Sequence, residues 1–153
     1  MTDSRDIYLM VYEGEDWAVK ARVTDEEGTR LSQATCTSAD VRVFLMENGT
    51  PGTEVYSETI ADENAWVQGS LTVVLLADSY ATTGGWSKDT TGWNANLYLA
   101  FTELETGGAQ GSGAITIKGG QTYLVEWYFF RSGANKAAII LRQYTKVLPL
   151  RSI

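Results

Sequence analysis

The chain has 153 residues, enough for one domain with an ordinary core, and 44% of them are hydrophobic and 11% aromatic. A net charge of −7 and a pI near 4.5 oppose nucleic acid or an anionic membrane as partner, since both select positive surfaces. One cysteine, Cys36, and no histidine exclude an intramolecular disulfide, a four-cysteine zinc site and any imidazole base.

Met1 to Arg5 is polar and leads into a short apolar run, which is not a signal-peptide pattern. No apolar stretch approaches the roughly 20 residues of a membrane span. The expectation is a protein made in the cytoplasm, with a flexible tail over 1–5, one folded unit over 6–146 and an extended tail over 147–153.

Ile7 to Tyr12 reads as a first short strand. From Asp16 to Thr24, Trp17, Val19, Ala21 and Val23 alternate with Ala18, Lys20 and Arg22, the period-two pattern of a half-buried strand. Asp25-Glu26-Glu27-Gly28 closes it as a turn, with glycine where a positive φ is least costly. Leu31 to Asp40 is rich in Ser, Thr and Ala and reads as a connection with a short helical turn near Ser38-Ala39-Asp40.

Val41 to Met46 is the next strand, with Val41, Val43 and Leu45 on one side. Asn48-Gly49-Thr50-Pro51-Gly52 is the strongest turn signal in the chain and joins it to a strand over Glu54 to Ile60 as a hairpin. Leu71 to Leu76 is apolar on both faces, as an interior strand should be, and Ala77 to Thr91 reads as a loop that carries Trp86. Trp93 to Phe101 alternates cleanly, with Trp93, Ala95, Leu97, Leu99 and Phe101 inward.

Leu104 to Gly113 holds four glycines and reads as a mobile loop, followed by a short strand from Ala114 to Lys118. Gly119-Gly120 then feeds the most apolar segment, Gln121 to Phe130. Leu124, Glu126, Tyr128 and Phe130 face one side of it, and Tyr123, Val125, Trp127 and Phe129 the other. Both faces are apolar apart from Glu126, which predicts a strand inside a sheet. Ser132 to Asn135 turns into a last strand from Lys136 to Val147. No long amphipathic helix interrupts this series, so the fold class is all-β. About seven to nine strands with this turn spacing suit a two-layer, immunoglobulin-like antiparallel β-sandwich.

Catalytic chemistry is sparse. A serine or cysteine nucleophile would lack an imidazole to activate it, and Cys36 reads as small core filler. The acidic groups Glu13, Glu15 and Asp16, and Asp25, Glu26 and Glu27, lack the spacing of a calcium loop. Gly107 to Gly113 resembles a phosphate loop only in glycine content, with no Lys-Ser/Thr ending and no following helix. No metal, cofactor or catalytic residue is expected. Trp17, Trp93 and Trp127 sit at strand phases that fit a core, whereas Trp86, in a polar loop, is the aromatic residue placed for a surface contact.

The order of short motifs carries a resemblance. Gly14-Glu15-Asp16-Trp17, Arg22 to Gly28, Val41-Arg42-Val43-Phe44, Trp86 to Trp93, and Gly119 to Glu126 together resemble small virion proteins of tailed bacteriophages, which are immunoglobulin-like sandwiches of necks, baseplates and capsid surfaces. Gly-Gln-Thr-Tyr-x-Val also resembles the penultimate strand of immunoglobulin and fibronectin-type domains. Carried over, Tyr123 is a corner tyrosine that hydrogen-bonds back, and Val125 stands where antibody domains place a cysteine. The resemblance implies a non-enzymatic virion structural protein of the head-to-tail or tail region. Its partners would be copies of itself and other virion proteins. Interface candidates are Trp86, Trp93, Val147, Leu148, Pro149 and Leu150, with Trp17, Tyr123, Val125 and Trp127 structural. The alternatives are a capsid decoration protein of the same fold and a carbohydrate- or receptor-binding module that uses the loop aromatics.

Overall fold

The computed structural model describes residues 6–29, 31, 36–60, 95–99, 101, 104, 111–112, 117–131, 133 and 137–150. Within them the fold is all-β. The strands are β1 (Asp6–Tyr12), β2 (Trp17–Ala21), β3 (Cys36–Glu47), β4 (Thr50–Ile60), β5 (Ala95–Leu99), β6 (Gly111–Ser112), β7 (Thr122–Arg131) and β8 (Ile139–Leu148). Six form one sheet in the order β1-β8-β7-β3-β4-β6, and β2 pairs with β5 in a second.

β7 is the centre of the large sheet. Tyr123 to Phe129 pair with β8 on one side and with β3 on the other, so this backbone is satisfied along both edges, as its apolar faces predict. Its inward residues Tyr123, Val125, Trp127 and Phe129 are all buried and join Val41, Val43, Leu141 and Val147 in the core. The small sheet adds Trp17, Ala95, Leu97 and Leu99, and the Trp17 ring meets that of Tyr123 at 5.4 Å. The alternation read for 16–24 and 93–101 thus predicts which residues of β2 and β5 face the core.

A polar chain crosses this interior. Trp127 Nε1 donates to Gln143 Oε1 at 3.2 Å, and Gln143 Nε2 donates to Thr145 Oγ1 at 3.1 Å, so the two fully buried polar residues of β8 satisfy one another and the indole. The indole nitrogen of Trp17 has no hydrogen-bond partner among the described residues.

Four expectations are corrected. The large sheet is mixed rather than antiparallel, because β1 runs parallel to β8, from Asp6 opposite Arg142 to Tyr12 opposite Leu148. The residues expected to form a helical turn, Ser38 to Asp40, lie in β3, where Ala39 opposes Phe129 and is fully buried. A small residue is needed there because the bulky ring occupies the neighbouring strand. In the glycine-rich segment, Leu104 is fully buried and Gly111–Ser112 pairs with Ser57 and Glu58 of β4. Ile117 and Lys118, read as the end of a strand, precede β7 outside any strand. The interior strand expected over 71–76 lies outside the described residues.

The turns follow their sequence signals. Asn48 and Gly49 both have positive φ, 53° and 80°, which makes the β3–β4 connection a two-residue hairpin turn of the primed type. Asp25 Oδ1 accepts from the amides of Glu27 and Thr29, both at 2.9 Å, and orders the turn after β2. Beside it, the exposed Glu26 carboxylate meets Arg131 Nη1 of β7 at 2.8 Å, and the Arg131 side chain is only 9% exposed. Hydrogen bonding from Arg131 holds Glu26 below the ordinary carboxylate range. A carboxylate with a depressed folded pKa contributes stability above its unfolded pKa, and the contribution disappears as pH falls through the folded value. Glu26→Gln should therefore lower urea stability at about pH 7, and the gap to the unsubstituted chain should narrow as pH falls through the depressed pKa of Glu26. A gap that is constant over that range would show that the ion pair contributes nothing.

One corner ties the ends of β1 and β8 to the start of β7. Gly119 N donates to Glu13 Oε1 at 2.8 Å, Gly120 N to Val147 O at 2.8 Å, and Glu13 N to Leu148 O at 3.1 Å. A methyl group at Gly119 would collide with Glu13 Oε1 and with the backbone of Pro149. Gly119→Ala should cost about 1–3 kcal/mol in denaturant unfolding with an unchanged slope, the usual range for overpacking. A change within experimental error would show that the corner yields.

Candidate functional site

The acidic groups are engaged with backbone amides. Glu15 Oε1 accepts from Tyr12 N, Asp16 Oδ1 from Phe101 N, Glu13 from Gly119 N and Asp25 from its own turn. These carboxylates cap backbone amides at strand ends. Among the described residues no three or more potential metal ligands gather. Cys36 is buried at the start of β3. A cleft of about 560 Å³ opens between the β3–β4 turn and the start of β7, and Glu47 is the one ionisable group in its lining.

The outer face of the large sheet is more distinctive, and β7 sets its pattern. Residues that alternate with the core positions point outward, and the strand registers align them in rows across four strands. Asp6, Arg142, Glu126 and Arg42 form one row. Tyr8, Tyr144, Leu124 and Phe44 form the next, one pleat along. Beyond them Met10 lies beside Lys146, and Tyr12 beside Leu148.

Aromatic and apolar groups dominate where the sheet is open. Among the described residues β1 has a neighbour on one side alone, and its outward residues Tyr8, Met10 and Tyr12 are 77%, 64% and 52% exposed. The rings of Tyr8 and Tyr144 stack at 5.4 Å with an interplanar angle of 17°. Leu124 in mid-row is buried although it stands outside the inner core cluster.

Charged groups on the face are paired loosely. Arg142 Nε reaches Glu126 Oε2 at 3.5 Å, Arg42 Nη2 reaches Asp40 Oδ2 at 3.5 Å, and the Arg42 guanidinium lies 4.8 Å from the centre of the Tyr128 ring. Burial, with Glu126 close by, pushes the Tyr128 phenol above its ordinary pKa, so this ring is neutral near pH 7.

The sequence candidates distribute unevenly. Trp17, Tyr123, Val125 and Trp127 are core residues, as expected. Tyr123 donates its hydroxyl to the side chain of Gln121 at 2.6 Å, across the corner that opens β7. Trp86 and Trp93 lie outside the described residues.

The expected tail begins too early. Val147 is fully buried within β8, its amide donating to Gln121 O at 2.9 Å, and Leu148 is half-buried in the same strand. The apolar character of Val147 serves the core, because it lies in the inward phase set by Leu141, Gln143 and Thr145. Pro149 and Leu150 follow the strand, both exposed, and Leu150 is 64% exposed.

Tyr8, Met10 and Tyr12 were missed as surface candidates. The signal was the alternation of 7–12, in which two tyrosines and a methionine share one phase. What made it informative, the place of β1 at the end of the sheet among the described residues, is a matter of topology.

No family model matches the chain, and no curated protein matches it. Among solved structures, one similar chain comes from "Structure-based site-directed photo-crosslinking analyses of multimeric cell-adhesive interactions of VGSC beta subunits". It is 8% identical, with a TM-score of 0.35, over 97% of this chain and 96% of that one. An overlay at that level does not discriminate one all-β arrangement from another.

The position of Val147 changes what truncation does. Removing residues 147–153 should destabilise the fold by about 2 kcal/mol or more through the lost valine burial alone. Removing 151–153 retains every described residue, Val147 included, and should lower the unfolding midpoint less. Equal midpoints for the two truncations in thermal melts would contradict the placement of Val147.

Proposed function

We propose that the chain is a non-enzymatic structural protein of a tailed-phage particle, present as repeated copies in the head-to-tail or tail region. Contacts with copies of itself and with other virion proteins hold it there, and it uses no cofactor, nucleic acid or membrane. The observation that carries this reading is the outer sheet face, where Tyr8, Met10 and Tyr12 stand exposed on an edge strand beside Tyr144. Monomeric soluble proteins seldom display contiguous apolar groups of this kind, and such patches mark protein contacts.

The finer fold reading is immunoglobulin-like. The run β8-β7-β3-β4 follows the order G-F-C-C′ of a variable-type sheet, and the pairing of β2 with β5 fits a B–E pair, while β6, which follows β5 in the chain, has no counterpart in that order. Tyr123 near the start of β7, two residues before the buried Val125, fits the corner position of such domains. The phage assignment draws on the motif order from Gly14 to Glu126 that resembles small virion proteins. The non-enzymatic part draws on a chain without histidine, a buried single cysteine, and acidic groups committed to backbone amides.

The test is the particle itself. Virions purified by density gradient from the source that encodes the chain should contain its peptides at a fixed multiple of the portal protein, and gold-labelled antibody should mark the neck or tail. Label on the capsid shell would make it a decoration protein instead. Particles that lack the chain would overturn the assignment.

A further inference from the structure

We infer that the outer face of the six-stranded sheet pairs with the same face of a second copy, about a two-fold axis that runs along the strands between β7 and β8. The inference rests on the reading of the chain as a protein that works in repeated copies, and it names the surface through which two copies meet.

The argument begins with the charged row. Across β1, β8, β7 and β3 it reads Asp6, Arg142, Glu126, Arg42, with the signs alternating. Rotation about an axis along the strands reverses the strand order of the second copy and keeps each row at its own level. Asp6 then lies over the partner's Arg42, and Arg142 over the partner's Glu126. An alternating row with an even number of members is complementary to its own reversal, so every contact in it joins opposite charges. A row of one sign would repel its copy instead.

The neighbouring row supplies the apolar part. Reversal sets Tyr8 over the partner's Phe44 and Tyr144 above the partner's buried Leu124, so the apolar contact is made by Tyr8, Tyr144 and Phe44 with no charge among them. An apolar layer bordered on one side by a row of paired charges combines the two components of a specific interface, an apolar centre and a polar margin. Face-to-face sheets pack about 10 Å apart with strands some 30° from parallel, a rotation that the sheet twist supplies.

Charge balance favours a second copy as the occupant. The chain carries −7, so two copies repel one another over most approaches. On the four strands β1, β8, β7 and β3 of this face Asp6, Asp40 and Glu126 are matched in number by Arg42, Arg142 and Lys146, with Glu54 of β4 outside them, so here approach meets less resistance. The loose 3.5 Å geometry of Arg142 with Glu126 and of Arg42 with Asp40 leaves guanidinium donors able to turn toward a partner's carboxylate. Four strands about 4.8 Å apart and seven residues about 3.3 Å apart give a footprint on the order of 400 Å² per copy, which belongs with weak, reversible interfaces. Repetition in an array strengthens such a contact without new residues.

Sedimentation equilibrium of the full chain from about 10 µM to 1 mM should show a reversible dimer. Arg142→Glu sets two acids against each other across the axis, and Glu126→Arg sets two bases. Each variant alone should weaken dimerisation at least about tenfold, and an equimolar mixture of the two should dimerise again, because every charge in the mixed pair then meets its opposite. That rescue cannot arise from a folding defect. Tyr8→Asp, at a position 77% exposed and outside the core, should weaken pairing to a similar degree with an unchanged circular dichroism spectrum. A wild-type chain that stays monomeric at about 1 mM, or dimerisation unaffected in all three variants, overturns the inference. So does a mixture that remains monomeric. These results are independent of whether particles contain the chain, so the pairing and the phage assignment fail separately.

Discussion

Residues Tyr123 to Phe129 are hydrogen-bonded on both edges at once, to β3 on one side and to β8 on the other. A strand held in two ladders cannot slip by one residue without exchanging its faces, which would expose Trp127 and Phe129 and bury Glu126. The registers of β3 and β8 are therefore fixed by β7, and those of β4 and β1 follow from theirs. Trp127 secures one of these placements chemically, because its indole N–H needs an acceptor and finds it in Gln143 of β8. The rows on the outer face are a by-product of the same constraint.

Much of this was legible in the chain. Side-chain alternation shows which residues of 16–24, 41–46, 95–99 and 122–130 face inward, because a buried phase is a local property of the sequence. Asn48-Gly49 and Asp25 to Gly28 fix turns by φ preference and a side-chain acceptor, again locally. What local reading missed depends on partners remote in the sequence. Ser38 to Asp40 looks too small and polar for a strand, yet Phe129 of a neighbouring strand leaves room there only for a small residue. Val147 looks like a loose apolar tail until Gln121 and β1 are seen on either side of it.

The candidate site was less legible than the fold. A tryptophan in a polar loop, such as Trp86, is conspicuous in a linear sequence. The exposed Tyr8, Met10 and Tyr12 belong to a short strand whose significance comes from its place at the end of the sheet, with β8 as its one neighbour among the described residues. Likewise the charges of Asp6, Arg42, Glu126 and Arg142 are scattered through the sequence, and only the strand order brings them into one alternating line. No linear spacing encodes that line, so no motif could have announced it.

The parallel pairing of β1 with β8 has a consequence for timing. β1 is made early and its neighbour late, so during synthesis at about 5–20 residues per second the first strand waits on the order of ten seconds for its place in the sheet. Through that interval Asp6 has no Arg142 beside it, Tyr8 has no Tyr144, and neither row on the outer face exists. For the pairing proposed above, a nascent copy would therefore have no outer face to offer a finished one. The topology withholds both rows until β8 has been added, so any contact through them has to follow completion of the chain.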